Sequence, residues 1–312
     1  MRRFLLMACL VFSVALSSIS AIAQNVETEG ELFNKISALT KTKKAEDQEK
    51  AYKLSKIFLQ KFGKADSAET KKIREFVANH EASKMGKLVE DGKTSEAFAF
   101  GKEILAATPD NSDVTMLLAY AGYQALIKKQ DKSFGKDSIE YAKTTLKLFG
   151  ENKLPQQFAP FANQNDATAF MYYIAGRFMA DDNLPEAANY FYKAVQMDSK
   201  VKDDATPYYY IALNYHKMYE KLSADFETKH GKKTVEDDAM RADNEKLEKL
   251  LNLMMDAYAR AAKLGEAQKL PNAANWKTIF SQIYTGLKQS DAGMSEYLDK
   301  VLTTPLPDPS TF

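Results

Sequence analysis

Residues 168–201 read TAFMYYIAGRFMADDNLPEAANYFYKAVQMDSKV, and their spacing decides the fold class. Met171, Ile174, Ala175 and Phe178 stand at i, i+3, i+4 and i+7, which places them on one stripe of a helix. Asp181-Asp182-Asn183 breaks that stripe, and Pro185 suits the first turn of a second helix. Leu184, Ala187, Phe191, Ala194 and Val195 then share a face of that second helix. Two amphipathic helices joined by so short a polar turn form an antiparallel hairpin.

The same design recurs on both sides. Tyr208, Ile211, Ala212 and Tyr215 follow Pro207 at matching offsets, and Trp276, Ile279, Phe280 and Ile283 repeat them. Upstream, Ala97, Ile104 and Leu105 form a second-helix face closed by Pro109, and Leu118-Ala119 stands where the next hairpin begins. Small residues fall where helices must approach closely, and large ones fill the adjoining space. Only 13 glycines and 9 prolines serve 312 residues, too few for the many turns of a β-sandwich or barrel. The expectation is an all-α chain of antiparallel helix pairs stacked as a solenoid.

These spacings resemble the tetratricopeptide repeat, a 34-residue helix–turn–helix unit with W-x2-L-G-x2-Y, then A-x3-F, then P. In residues 168–201, Ile174-Ala175 takes the Leu-Gly place and Phe178 the Tyr place. Ala187 and Phe191 form the second-helix pair, and Ser199 stands instead of Pro. The copy that opens at Trp276 keeps the leading Trp but has Phe280 where a small residue belongs. The copy ending at Pro109 has Gly101 in the aromatic place, and Leu118-Ala119 is followed by Gly122. The resemblance covers residues 78–306 in degenerate copies. It implies a right-handed superhelix whose first helices line a concave face, and it implies protein partners.

The copies are unevenly spaced. Between Ala212 and the next second-helix alanine, Ala257, the chain is far longer than the family spacing, and Tyr208–His230 and Lys232–Leu264 contain no Gly or Pro. A long helical hairpin near 208–264, turning at His230-Gly231-Lys232, accommodates this. A hidden extra repeat would need a turn that is not written. Residues 24–77, with Leu32, Phe33, Ile36, Tyr52, Ile57 and Phe58, read as an N-terminal helical cap or degenerate repeat. Pro305, Pro307 and Pro309 cannot continue a helix, so residues 307–312 are expected as an extended tail.

Residues 1–23 carry a basic start (Arg2, Arg3), an apolar run from Phe4 to Ile22 and a small-x-small site at Ala21-Ile22-Ala23. That order reads as a cleaved secretory signal peptide in preference to a membrane anchor, and it implies a periplasmic or extracellular location. The one cysteine, Cys9, lies within it, so the exported form has none for a disulfide. The full chain has 43 basic and 42 acidic residues, and losing Arg2 and Arg3 leaves a net charge of −1. Nothing in that balance attracts nucleic acid or anionic lipid. With 45% hydrophobic and 27% charged residues the chain can build a core.

The chemistry-bearing motifs are missing. His80, His216 and His230 are far apart in sequence, and no H-E-x-x-H, Cys pair, phosphate-binding glycine loop or G-x-S-x-G turn occurs. No metal or cofactor is expected, and no enzyme activity. Glu236-Asp237-Asp238 and Asp203-Asp204 precede helices and read as caps. The 16 tyrosines and 18 phenylalanines are the distinctive feature. By analogy with the repeat family, Tyr120, Tyr123, Tyr172, Tyr209, His216 and Tyr284 fall on or near the concave face. Tyrosine offers a large contact area, a polar end and few torsions to freeze. The expected role is therefore a scaffold or adaptor holding a protein or peptide in that groove. A glycan or small-ligand binder using the same rings is the rival.

Overall fold

The computed structural model describes residues 27–309. The expected signal peptide, residues 1–23, and the terminal Phe312 lie outside the described residues. Those described form twelve α-helices and two short 3-10 turns, with no strand among them. The all-α expectation therefore agrees with the fold.

The chain divides into two compact units, one ending at Glu81 and one beginning at Ala82. The first contains α1 (Glu29–Thr40), α2 (Ala45–Phe62) and the first part of α3 (Ala68–Glu90). Thr28 starts α1 with a reciprocal cap. Its hydroxyl accepts from the Glu31 amide at 3.3 Å, and the Glu31 carboxylate accepts from the Thr28 amide at 2.8 Å. Leu32, Ile36, Ala51, Phe58 and Ile73 are buried in this unit. The Tyr52 ring stacks on His80 with centroids 4.5 Å apart, and its hydroxyl donates to Glu81 Oε1 at 2.9 Å.

The second unit holds α4 (Thr94–Ala107), α5 (Ser112–Lys129), α6 (Gly135–Gly150), α7 (Gln164–Met179) and α8 (Leu184–Gln196). After these come α9 (Ala205–His230), α10 (Asp238–Ala267), α11 (Ala273–Lys288) and α12 (Met294–Lys300). From α4 to α11 each helix packs on the next, and α5 also reaches α7. Polar side chains start the helices. Asn111, Asn163, Asn183 and Asp237 each accept the backbone N–H three residues on, so an otherwise unpaired donor is satisfied at each start.

Close approach of the helices follows from small residues. Gly176 and Ala187 are buried where α7 meets α8, and a side chain at Gly176 would press on the Ala187 carbonyl and the Phe191 ring. A side chain at Gly122 would overlap the Ser138 hydroxyl of α6, so only glycine fits that crossing. Helices α9 and α10 run for 26 and 30 residues and lie along each other, spanning about 39 Å and 45 Å. Gly231 caps α9, and residues 231–237 make the turn.

The end of the chain is tied down. After the turn Val301–Thr303 the backbone is extended, and Val301 and Leu306 are buried. Arg260 of α10 holds this segment. Its Nη2 donates to Thr304 Oγ1 and to the Pro305 carbonyl, both at 3.1 Å. On its other edge the Arg260 guanidinium pairs with Asp256, with Nε donating to Oδ1 at 2.6 Å.

Candidate functional site

The rings gather into a row that crosses successive helices of the second unit. Tyr120 and Tyr123 are three residues apart on α5, so both face the same way, as do Phe170 and Tyr173 on α7. Phe170 joins the α7 pair to the α5 pair, 6.0 Å from Tyr120 and 5.2 Å from Tyr123. Phe161, from the loop before α7, closes one end at 5.5 Å from Tyr120 and 5.2 Å from Phe170.

Beyond Tyr173 the row continues to Phe191 of α8 at 5.7 Å. From there it passes to Tyr210 of α9, stacked at 5.2 Å with 7° between the planes. Tyr210 meets Tyr209 at 5.2 Å, and Tyr209 stacks on Trp276 of α11 at 5.0 Å. Tyr209 and Tyr210 both take part because neighbouring helical residues point about 100° apart and so reach different partners. Every step lies in the 4.5–7 Å range in which ring pairs attract, roughly 0.5–1.5 kcal/mol each beyond their buried area.

Burial varies along the row. Tyr173, Phe191 and Trp276 are buried, whereas Phe161, Tyr120, Phe170, Tyr123, Tyr209 and Tyr210 are half-buried. The buried members hold the row in place, and the half-buried ones present ring area to whatever approaches. Burial pushes the phenols of Tyr120, Tyr123 and Tyr210 above their ordinary values and raises that of Tyr173 further. All four keep their protons at neutral pH and can donate to a carbonyl or a hydroxyl. The Arg177 guanidinium lies 5.7 Å from the Tyr210 ring centroid and adds a cation beside the row.

The six residues singled out from the sequence divide evenly. Tyr120, Tyr123 and Tyr209 belong to the row. Tyr172 points to α8 instead, 6.1 Å from the Tyr190 ring with Lys193 Nζ at 5.9 Å. The Nδ1 of His216 lies 3.2 Å from the Tyr258 hydroxyl, and its Nε2 lies 3.7 Å from Glu220. Tyr284 is buried against Phe280 and Tyr297, and its hydroxyl donates to the Ala292 carbonyl at 2.9 Å. Phe161, Phe170 and Tyr210 were not singled out. The i, i+3 spacing of Phe170 and Tyr173 was the available signal.

Among the described residues no group of three or more His, Cys, Asp or Glu is placed to share a metal ion. No described helix is long and apolar enough to cross a membrane. Comparison with family models, with curated proteins and with solved structures returns no match.

Proposed function

We propose that this chain is an exported, non-catalytic scaffold that binds a protein or peptide segment along the aromatic row. In this reading the helix pairs stack as a tetratricopeptide-like solenoid with the row on its inner wall, and residues 1–23 are removed on export. The observation that carries it is the row itself: half-buried rings from α5, α7 and α9 held in register by the buried Tyr173, Phe191 and Trp276. Rings already fixed by neighbours lose little freedom on binding, so their contact area converts efficiently into affinity. Phenol hydroxyls along the same line can meet the carbonyls of an extended segment.

The test replaces Tyr120 or Tyr209 with a photocrosslinking phenylalanine, and Lys217, exposed on α9, as the control. One partner captured from both row positions and not from position 217 supports the scaffold. That capture should fall in the Tyr120→Ala/Tyr209→Ala double variant. Equal adducts at the control, or none at the row, overturn it. Oligosaccharides that raise the melting temperature in place of any protein adduct would transfer the row to glycan binding. A mass for the exported protein that still includes residues 1–23 would refute processing.

A further inference from the structure

A cavity of about 280 Å3 lies elsewhere in the second unit, between the end of α8, the 3-10 turn Lys200–Asp203, α10 and the C-terminal segment. It sits just below the range of about 300–1,000 Å3 usual for ligand pockets, which suits a small molecule. Val195, Leu264, Leu302 and Leu306 make its apolar wall. Arg260, Asp203, Lys202 and Tyr208 make its polar side.

The charges on that polar side are unevenly committed. Arg260 is 3% exposed. Its Nε and Nη2 are taken up by Asp256, Thr304 and Pro305, and Nη1 has no hydrogen-bond acceptor among the described residues. Lys202 is engaged by Asp198 at 2.6 Å. The Tyr208 hydroxyl donates to the Lys202 carbonyl at 2.9 Å. The Asp203 carboxylate has no hydrogen-bond donor among the described residues; only its backbone carbonyl is used, accepting from Gln268. One guanidinium edge therefore lacks an acceptor, and one carboxylate lacks a donor, on the walls of the same small cavity.

We propose that this cavity binds a small aliphatic α-amino acid as its zwitterion, with the carboxylate on Arg260 Nη1, the ammonium on Asp203 and the side chain against Leu264, Leu302 and Leu306. A plain anion is disfavoured. Asp256 already balances Arg260, Asp198 balances Lys202, and the anion would face Asp203 uncompensated. A plain cation would leave the Arg260 Nη1 edge unused and would face the guanidinium charge. A zwitterion satisfies both ends at once.

Calorimetric titration of the purified protein tests this with L-valine, isobutylamine (no carboxylate) and 3-methylbutanoate (no amine). L-valine binds, and each analogue binds about tenfold or more weaker, the worth of one charge-assisted contact. Asp203→Asn weakens L-valine by a similar factor and strengthens 3-methylbutanoate, which no longer faces a like charge. Leu302→Trp closes the mouth and removes binding. Asp203 and Leu302 are exposed, so both variants keep the fold, which circular dichroism verifies. No heat from alanine, valine or leucine at millimolar concentration overturns the proposal. So does an analogue that binds as well as L-valine, or an Asp203→Asn variant that binds it unchanged.

Discussion

The two halves of α10 belong to one helix and rest on different physics. From Leu250 to Gly265 almost every residue is buried, including Ala257, Ala259, Ala261 and Ala262. Alanine on every side lets α9, α11 and the C-terminal segment all come close. From Asp238 to Lys249 no residue is buried, and the partly covered ones, Met240, Asp243 and Leu247, follow a three-then-four spacing. That is the narrow seam of a helix facing a single partner. Opposite it, α9 offers Met218, Tyr219, Leu222 and Phe226, and then the buried His230. His230 Nε2 lies 3.1 Å from Asp243 Oδ2, so a polar pair occupies the seam near the tip. The base is held by burial from many directions and shares the global stability. The tip is held by one seam, caps and ion pairs, and is expected to open before the base.

The largest effect should come from the base. Asp256→Ala strands the buried Arg260 guanidinium, and urea denaturation should show a loss of about 3–5 kcal/mol. Retention of full stability would show that solvent reaches the pair and that the base is no drier than the tip. Gly265→Ala comes next. An added Cβ would lie 2.8 Å from the Trp276 ring and 3.1 Å from Ala273. Overpacking of about 1–3 kcal/mol outweighs the gain of about 1 kcal/mol in helix propensity, so the denaturation midpoint should fall modestly.

Acid should act on the other half. The Lys246 ammonium, and after it His230, hold the Asp243 carboxyl well below the usual carboxylate range. A depressed folded value means its stabilisation is complete above the ordinary carboxylate pKa near 4 and is lost as pH falls below it. The protection of tip amides, taken relative to their intrinsic exchange rate at each pH, should therefore fall below about pH 4 while the base stays protected, and Asp243→Asn should remove most of that dependence. Uniform exchange along α10 would erase the distinction. Lys233→Ala is the smallest change. Its contact with Asp237 is exposed and screened by salt, so the global midpoint should not move.

The helices were legible where their signals are local. Asn183 and Pro185 mark a start, Gly231 marks an end, and the three-then-four spacing of Met171, Ile174 and Phe178 gives the buried face. Periodicity says which side of a helix is covered, and it is silent about what covers it. Tyr120, Tyr123 and Tyr209 could thus be placed with the row, while Tyr172 turned out to meet Tyr190 and Tyr284 to be buried under Tyr297. Phe161 sits in a loop, where no period exists to flag it. The division at Glu81 falls inside the continuous helix α3, where no turn is written; its one glycine, Gly86, stands five residues further on within the helix. The Arg260 cavity depends on contacts with Thr304 and Pro305, more than forty residues away in sequence, which no spacing rule connects.

The single indole of the chain, Trp276, ends the row with Tyr209 stacked on it and Tyr210 next in line. Light absorbed by those phenols can pass to the indole over such short distances. The native protein thus carries its own optical reporter: anything that settles on the rings, or parts α9 from α11, alters the emitted colour and yield without any attached dye.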